Sequence, residues 1–206
     1  MLLRVNPNRM ELLRLRRRLA AARRGHKLLK DKLEALIQDF ILQVKEAVRV
    51  RGEVEEELGA AYHTFLLATA PMSSSSLEAA LLTPGARAEL EVKTANIMSV
   101  AVPQFQLRQE GSIYPYGFYG TAAELDAALR SFQGLLPKIV QLAQLEKATE
   151  LMAEEIQRTR RRVNALEYVL IPSLEATVKH ITMKLDEMAR STASALMRIK
   201  EQIRRT

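Results

Sequence analysis

Residues 121–206 open TAAELDAALRSFQGLLPKIVQLAQLEKA and continue through RRRVNALEYVLIPSLEATVKHITMKLDEMARS to the end of the chain. Apolar residues recur there at alternating steps of three and four: Leu125, Leu129, Phe132, Leu136, Ile139, Ala143. After a polar patch at Glu146 and Thr149 the series resumes with Met152, Ile156, Thr159, Val163, Leu166, Leu170, Leu174, Thr177, Ile181, Leu185 and Met188. This is a coiled-coil type of seam held over roughly nine heptads. A helix with so narrow an apolar stripe cannot bury it alone, so a partner must come from elsewhere in the chain.

The N-terminal part supplies one. Asn8 reads as an N-cap with Glu11 three residues on, and Leu12, Leu15, Leu19, Ala22, His26, Leu29, Leu33, Leu36 and Phe40 follow the same rhythm. Past Phe40 the register drifts through Val44 and Val48, as a stutter produces, then recovers at Val54, Leu58 and Ala61 and fades near Ala70-Pro71. At 1.5 Å per residue this helix is about 90 Å long. If the chain reverses between the two helices, facing residues have numbers adding to about 191, which sets His26 near Ala165 and Met1 near Arg190. The last residues then run on as a single helix.

Between the helices the character changes. PMSSSS breaks the first helix, Ser76 or a neighbour caps a short helix LEAALL, and Thr83-Pro84-Gly85 ends it. ARAELE reads as a second short helical piece. VKTANIMSVAVPQFQLRQ is rich in β-branched residues, with Pro103 confining any strand to an edge or an end, and Glu110-Gly111-Ser112 offers a turn. Thr121 with Glu124 forms another capping box, while Pro137 and Pro172 are candidate breaks in the second long helix. The predicted fold is mainly α: a long antiparallel two-helix coiled coil with a small inserted α/β cap, one helix plus a hairpin, between the helices. The segments are 1–70, 71–120 and 121–206, forming one elongated domain with an insert.

Composition agrees. Hydrophobic residues make up 48%, but Gly numbers only 8, Pro 7 and Trp 0, the profile of long helices rather than of a compact α/β enzyme. There is no cysteine, hence no disulfide framework or thiolate zinc site, and no apolar run long enough to cross a bilayer. The start MLLRVNPNRMELLRLRRR lacks the apolar core of a signal peptide, and the expected location is cytoplasmic. The net charge of +7 is unevenly spread: residues 1–32 carry +9, 33–157 carry −8 and 158–206 carry +6. Basic ends around an acidic middle bear on partners rather than on fold.

No constellation supports catalysis. Arg23-Arg24-Gly25-His26-Lys27 lacks the spacing of a phosphate-binding loop and follows no strand. Glu55-Glu56-Glu57 is a surface run, and there is no Ser/His/Asp set. His26 falls on the seam and reads as a polar register residue; His63 and His180 stand apart, which argues against a metal centre. The runs Arg16, Arg17, Arg18 and Arg158, Arg160, Arg161, Arg162 suit a solvated face, an acidic protein groove or nucleic acid. Against nucleic acid, the rings Tyr114, Tyr116, Phe118 and Tyr119 lie where Lys and Arg are almost absent, whereas single-strand binders place the two together. The alternative reading, an antiparallel coiled-coil nucleic-acid-binding arm, predicts a steep salt dependence of binding.

Two segments carry a more specific message. NPNRMELLRLRRRLAAARRGHKLLKDKLEALI (6–37) resembles the N-terminal signature of the D subunit of the V-type and archaeal-type rotary ATPases, and RRRVNALEYVLIPSLEATVKHITMKLDE (160–187) resembles the second signature of that family. RRGHKLLKDK and RRVNALEYVLIP occur in the order and at the separation the family shows. The resemblance implies the central stalk, or rotor shaft, of a rotary ATPase: a non-catalytic chain without a cofactor. Its implied partners are the rotor's F subunit, the catalytic and non-catalytic nucleotide-binding A and B subunits, and the funnel-like subunit on the membrane ring. It implies a place peripheral to the membrane, without insertion into it and without nucleic acid. On that reading Arg16, Arg17, Arg18, Arg23, Arg24, Arg160, Arg161 and Arg162 are expected to contact the hexamer bearing. The seam is expected to run through Leu12, Leu15, Leu19, His26, Leu29, Leu33, Leu36 and Phe40 on one helix, and Ile156, Val163, Leu166, Leu170, Leu174, Ile181 and Leu185 on the other.

Overall fold

A computed structural model describes residues 5–82, 85–114, 116–117 and 121–205. The Thr83-Pro84 break, the rings of Phe118 and Tyr119, and the expected meeting of Met1 with Arg190 lie outside the described residues. In chain order the elements are α1 (Arg9–Thr69), α2 (Ser74–Leu81), β1 (Ala86–Ile97), β2 (Val100–Gly111), α3 (Ala123–Asn164), a π-helical turn (Ala165–Leu170) and α4 (Ile171–Arg205). The fold is long helix, hairpin, long helix. The chain divides into two compact units, one made of residues up to Ala35 with those from Ile156 on, the other of Leu36–Glu155.

The first unit is an antiparallel helix pair. The Asn8 carboxamide accepts the Glu11 N–H at 2.7 Å and starts α1. Leu15, Leu174 and Ile181 are buried together, with Leu12, Leu19, Ala22, Leu170, Val178 and Leu185 packed around them. Polar contacts fix the direction: Arg23 donates to Glu175 at 2.6 Å, and His26 Nε2 lies 3.4 Å from Glu167. His26 thus sits two residues from the predicted Ala165 level. Pro172 does not break the helix. It falls in the first turn of α4, after the π-helical turn, and the Ser173 hydroxyl donates to the Leu170 carbonyl at 2.8 Å.

The second unit packs the rest of α1 against α3, with the inserted elements beside them. Val50, Val54 and Leu135 form one buried cluster with Leu58, Leu142 and Leu145 around it. A second cluster, Ala68, Ala80 and Leu125, joins the end of α1 to α2 and the start of α3. The rings of Tyr62 and Phe65 meet Phe132 edge-on at 5.4 and 6.2 Å. Pro137 lies inside α3 without interrupting it. The buried line on α3 here runs through Leu135 and Ala148, with Leu142 and Leu145 half-buried, whereas Ile139 and Ala143 of the expected series are exposed. The hairpin explains the shift: Leu136 and Ile139 turn toward it and line a groove with Ala80, Ala86 and Ile113.

The hairpin corrects two further expectations. ARAELE is not helical; it is the first half of β1, paired antiparallel with β2 from Ala86↔Gly111 to Ile97↔Val100. Alternating Ala88, Leu90 and Val92 suit a strand, and cross-strand pairs override the local helix preference. The reversal is not at Gly111 but at Met98-Ser99, both with positive φ (49° and 71°), a two-residue primed turn in which the Asn96 carboxamide accepts the Ser99 N–H at 2.9 Å. Gly111, at φ +91°, closes the open end, where a Cβ would stand 2.2 Å from the Gly85 carbonyl oxygen. The Phe105 N–H donates to Gln144 on α3 at 2.7 Å, so β2 lies against that helix. The serine run caps α2 through Ser73, which accepts the Ser76 N–H at 3.2 Å. The cap expected at Thr121 is different. α3 starts at Ala123, and Thr121 donates its hydroxyl back to the Gly117 carbonyl instead of capping.

Candidate interaction surface

The charged residues of the second unit are largely satisfied within it. Arg49 straddles Glu46, at 2.5 Å, and Glu53, and its hydrogen bond holds the Glu46 carboxyl below the usual range. Glu146, 2.5 Å from Arg51, raises that guanidinium's pKa, and Glu57 does the same for the Lys138 ammonium, each through a hydrogen bond. These pairs are solvent-exposed and worth little individually. Tyr116 is different: burial first, then its 2.6 Å hydrogen bond to Asp126, pushes its hydroxyl well above the ordinary value.

The eight arginines expected at the bearing all lie in the first unit and are all exposed. Arg23 pairs with Glu175, both side chains being about half exposed. Among the described residues, Arg16, Arg17, Arg18, Arg24, Arg160, Arg161 and Arg162 make no ion pair. The structure does not gather the eight into one patch. Arg160, Arg161 and Arg162 lie five to seven residues before Glu167, the partner of His26, which in an antiparallel pair sets them about 20 Å along the helices from Arg16, Arg17 and Arg18 at 1.5 Å per residue. Two basic levels therefore flank the pair. The seam residues behave differently: Leu15, Leu36, Val163, Leu174 and Ile181 are buried, and Leu12, Leu19, His26, Leu29, Leu33, Phe40, Ile156, Leu166, Leu170 and Leu185 are half-buried.

A surface that the arginine runs do not reveal lies at the end of α4. Arg9 and Leu12, at the start of α1, border the same shallow groove as Asp186 and Ala189, so α4 runs on past its partner. Every residue from Asp186 to Arg204 is exposed. Met188, Thr192, Leu196, Ile199 and Ile203 recur at steps of three and four and form one stripe, with Leu196 and Ile203 61% and 71% exposed. Arg190, Arg198, Lys200 and Arg204 occupy the remaining faces. The stripe continues the seam's rhythm beyond Leu185, and that continuation is its signal in the sequence.

The profile of the family of ATP synthase D subunits matches residues 11–201, a span that takes in all but the first five residues of the N-terminal signature, the whole of the second, the hairpin and most of this terminal stripe. The chain belongs to the ATP synthase D-subunit family. It is similar to the V-type ATP synthase D subunit of Thermoanaerobacter sp. (strain X514), 54% identical over 201 residues, with 97% of this chain and 96% of the relative covered. That of Clostridium botulinum (strain ATCC 19397 / Type A) is 51% identical over 98% of this chain and 96% of the relative. That of Acetivibrio thermocellus is also 51% identical, over 98% and 93%. As a member of the D-subunit family the chain is a component of a V-type ATP synthase, and its partners lie within that complex. Among the described residues, no helix is long and apolar enough to cross a membrane.

Proposed function

We propose that this member of the D-subunit family is the central rotor shaft of a V/A-type ATP synthase, a non-catalytic part that transmits torque between the nucleotide-binding hexamer and the ion-translocating membrane ring. The observation that carries this reading is the terminal stretch of α4. Among the described residues every one from Asp186 to Arg204 is exposed, and an apolar stripe of that length is buried against a neighbouring protein of the complex. The hexamer of A and B subunits is the partner the family relationship favours. The rotor's F subunit and the funnel-like subunit on the membrane ring are partners of the rest of the chain, and ATP is bound by the hexamer. The segments 1–70 and 121–206 form the shaft and 71–120 its insert, in a protein that lies at the cytoplasmic face without entering the bilayer.

The arginines suit a bearing. A surface that slides past successive partners needs many weak contacts, because a fully desolvated ion pair would trap one angle. Solvent-exposed Arg16, Arg17, Arg18, Arg23, Arg24, Arg160, Arg161 and Arg162 meet that condition.

Two sets of variants test the reading in the assembled complex. Leu196→Ser with Ile199→Ser and Ile203→Ser leaves the melting temperature of the isolated chain unchanged and uncouples ATP hydrolysis from ion transport. Replacing the eight arginines in blocks by Gln alters coupling or torque with the fold intact. Unchanged rotation and coupling in both sets would remove the shaft assignment.

A further inference from the structure

In the first unit, α1 keeps a strict rhythm of threes and fours through Leu12, Leu15, Leu19, Ala22, His26, Leu29 and Leu33, all buried or half-buried. The strand of seam opposite does not. Ile156, Thr159, Val163 and Leu166 keep one phase, which half-buried Leu170 and buried Thr177 extend, and Ile171, Leu174, Val178, Ile181 and Leu185 keep another, so six seam steps from Val163 to Leu185 take 22 residues where Leu12 to Leu33 takes 21. Heptad-equivalent positions lie seven residues apart within each set. Across the join they lie eight apart, from Val163 to Ile171 and from Leu166 to Leu174. The C-terminal side of the pair therefore carries one surplus residue relative to α1.

The backbone widens at the same place. Ala165–Leu170 is a π-helical turn, and the Ile171 N–H donates to the Leu166 carbonyl five residues back instead of four. One π turn holds one residue more than the α-helical path it replaces. Replacing it by α-helical geometry with no residue removed would rotate the whole of α4 by about 100°, one residue's share of a helical turn. No residue of the turn is fully buried, and Tyr168 and Val169 are 70% and 66% exposed. Two polar contacts from α1 bracket it: His26 with Glu167 on the turn itself, and Arg23 with Glu175 about one turn beyond its end.

We infer that the π turn at Ala165–Leu170 is a register joint: it absorbs the surplus residue so that both phases of the seam face α1, and it is the point at which α4 can change its twist relative to α1. Its twist would be loaded in a rotating assembly, so that part of its use rests on the shaft reading. The register role belongs to the chain itself and is tested there.

The test is a pair of single-residue deletions in the full chain. Deleting Val169 removes the surplus residue. The expected product is a continuous helix bent at Pro172 with both seam phases kept, a melting temperature within about 5 °C of the parent, and amide hydrogen exchange at 165–171 slowed about tenfold or more. Deleting Lys179, an exposed residue in the regular part of α4, takes Ile181 and Leu185 off the seam and lowers the melting temperature by about 5 °C or more. A Val169 deletion that costs as much as the Lys179 deletion, or that leaves exchange at 165–171 unchanged, overturns the joint. Both readouts are independent of the ATPase, so this outcome leaves the shaft assignment standing.

Discussion

Single side chains and backbone angles carry several sharp consequences. The hairpin reverses at Met98 and Ser99, two non-glycine residues held at positive φ, a conformation that costs an ordinary L-residue energy. Met98→Asn combined with Ser99→Gly supplies the residues that this turn prefers. It should stabilise the chain by about 0.5–1 kcal/mol in urea melts, provided Asn96 keeps its bond to the residue at 99. Tyr116 gives a pH prediction. Its folded-state pKa is raised by burial and by Asp126, so its contribution is complete below the ordinary value of 10 and is lost as pH rises above it, where the unfolded chain releases the proton first. Tyr116→Phe should cost about 1–2 kcal/mol near neutral pH and remove the part of the decline in stability above pH 10 that Tyr116 contributes, measured by denaturant titration at successive pH values. Neither feature was legible in advance. Positive φ at Met98 has no sequence signal when Gly or Asn is absent, and the Tyr116–Asp126 bond depends on how α3 begins.

At the scale of the element, legibility followed periodicity. The long helices declare themselves because their stripe repeats over many turns, and Asn8 marks the start of α1 with a capping bond that the structure contains. Where a second element packs on a helix, one stripe no longer describes it. Leu136 and Ile139 on α3 serve the hairpin side, so the line facing α1 moves to Leu135, Leu142 and Leu145. ARAELE reads as helix by composition and is a strand because β2 pairs with it residue by residue. The prolines were visible but not their outcome. Pro172 follows a π turn and sits in the first turn of α4, whereas Pro137 removes a donor from the hydrogen-bond ladder inside α3. Pro137→Ala restores that donor in an otherwise regular helix. It should raise stability by about 1–3 kcal/mol in thermal or urea melts, with helix content unchanged by circular dichroism.

For the molecule as a whole, the antiparallel direction and the hairpin insert were readable, and the register only approximately. Facing partners on the two helices have numbers adding to about 193–198 rather than 191. The candidate surface was half legible. The arginine runs stand out by charge, but their separation into two levels is a property of the pairing, and the apolar stripe of Asp186–Arg204 becomes a surface only once α1 is seen to end beside it. Membership of the D-subunit family then gives both surfaces a setting in which many weak, exposed contacts are an advantage. The most direct measurement is single-molecule observation of the complex, immobilised through its hexamer, with a probe fixed to an exposed position of this chain. The shaft account predicts that the probe turns in one direction in discrete steps as ATP is hydrolysed; a probe that stays still while hydrolysis proceeds would contradict it.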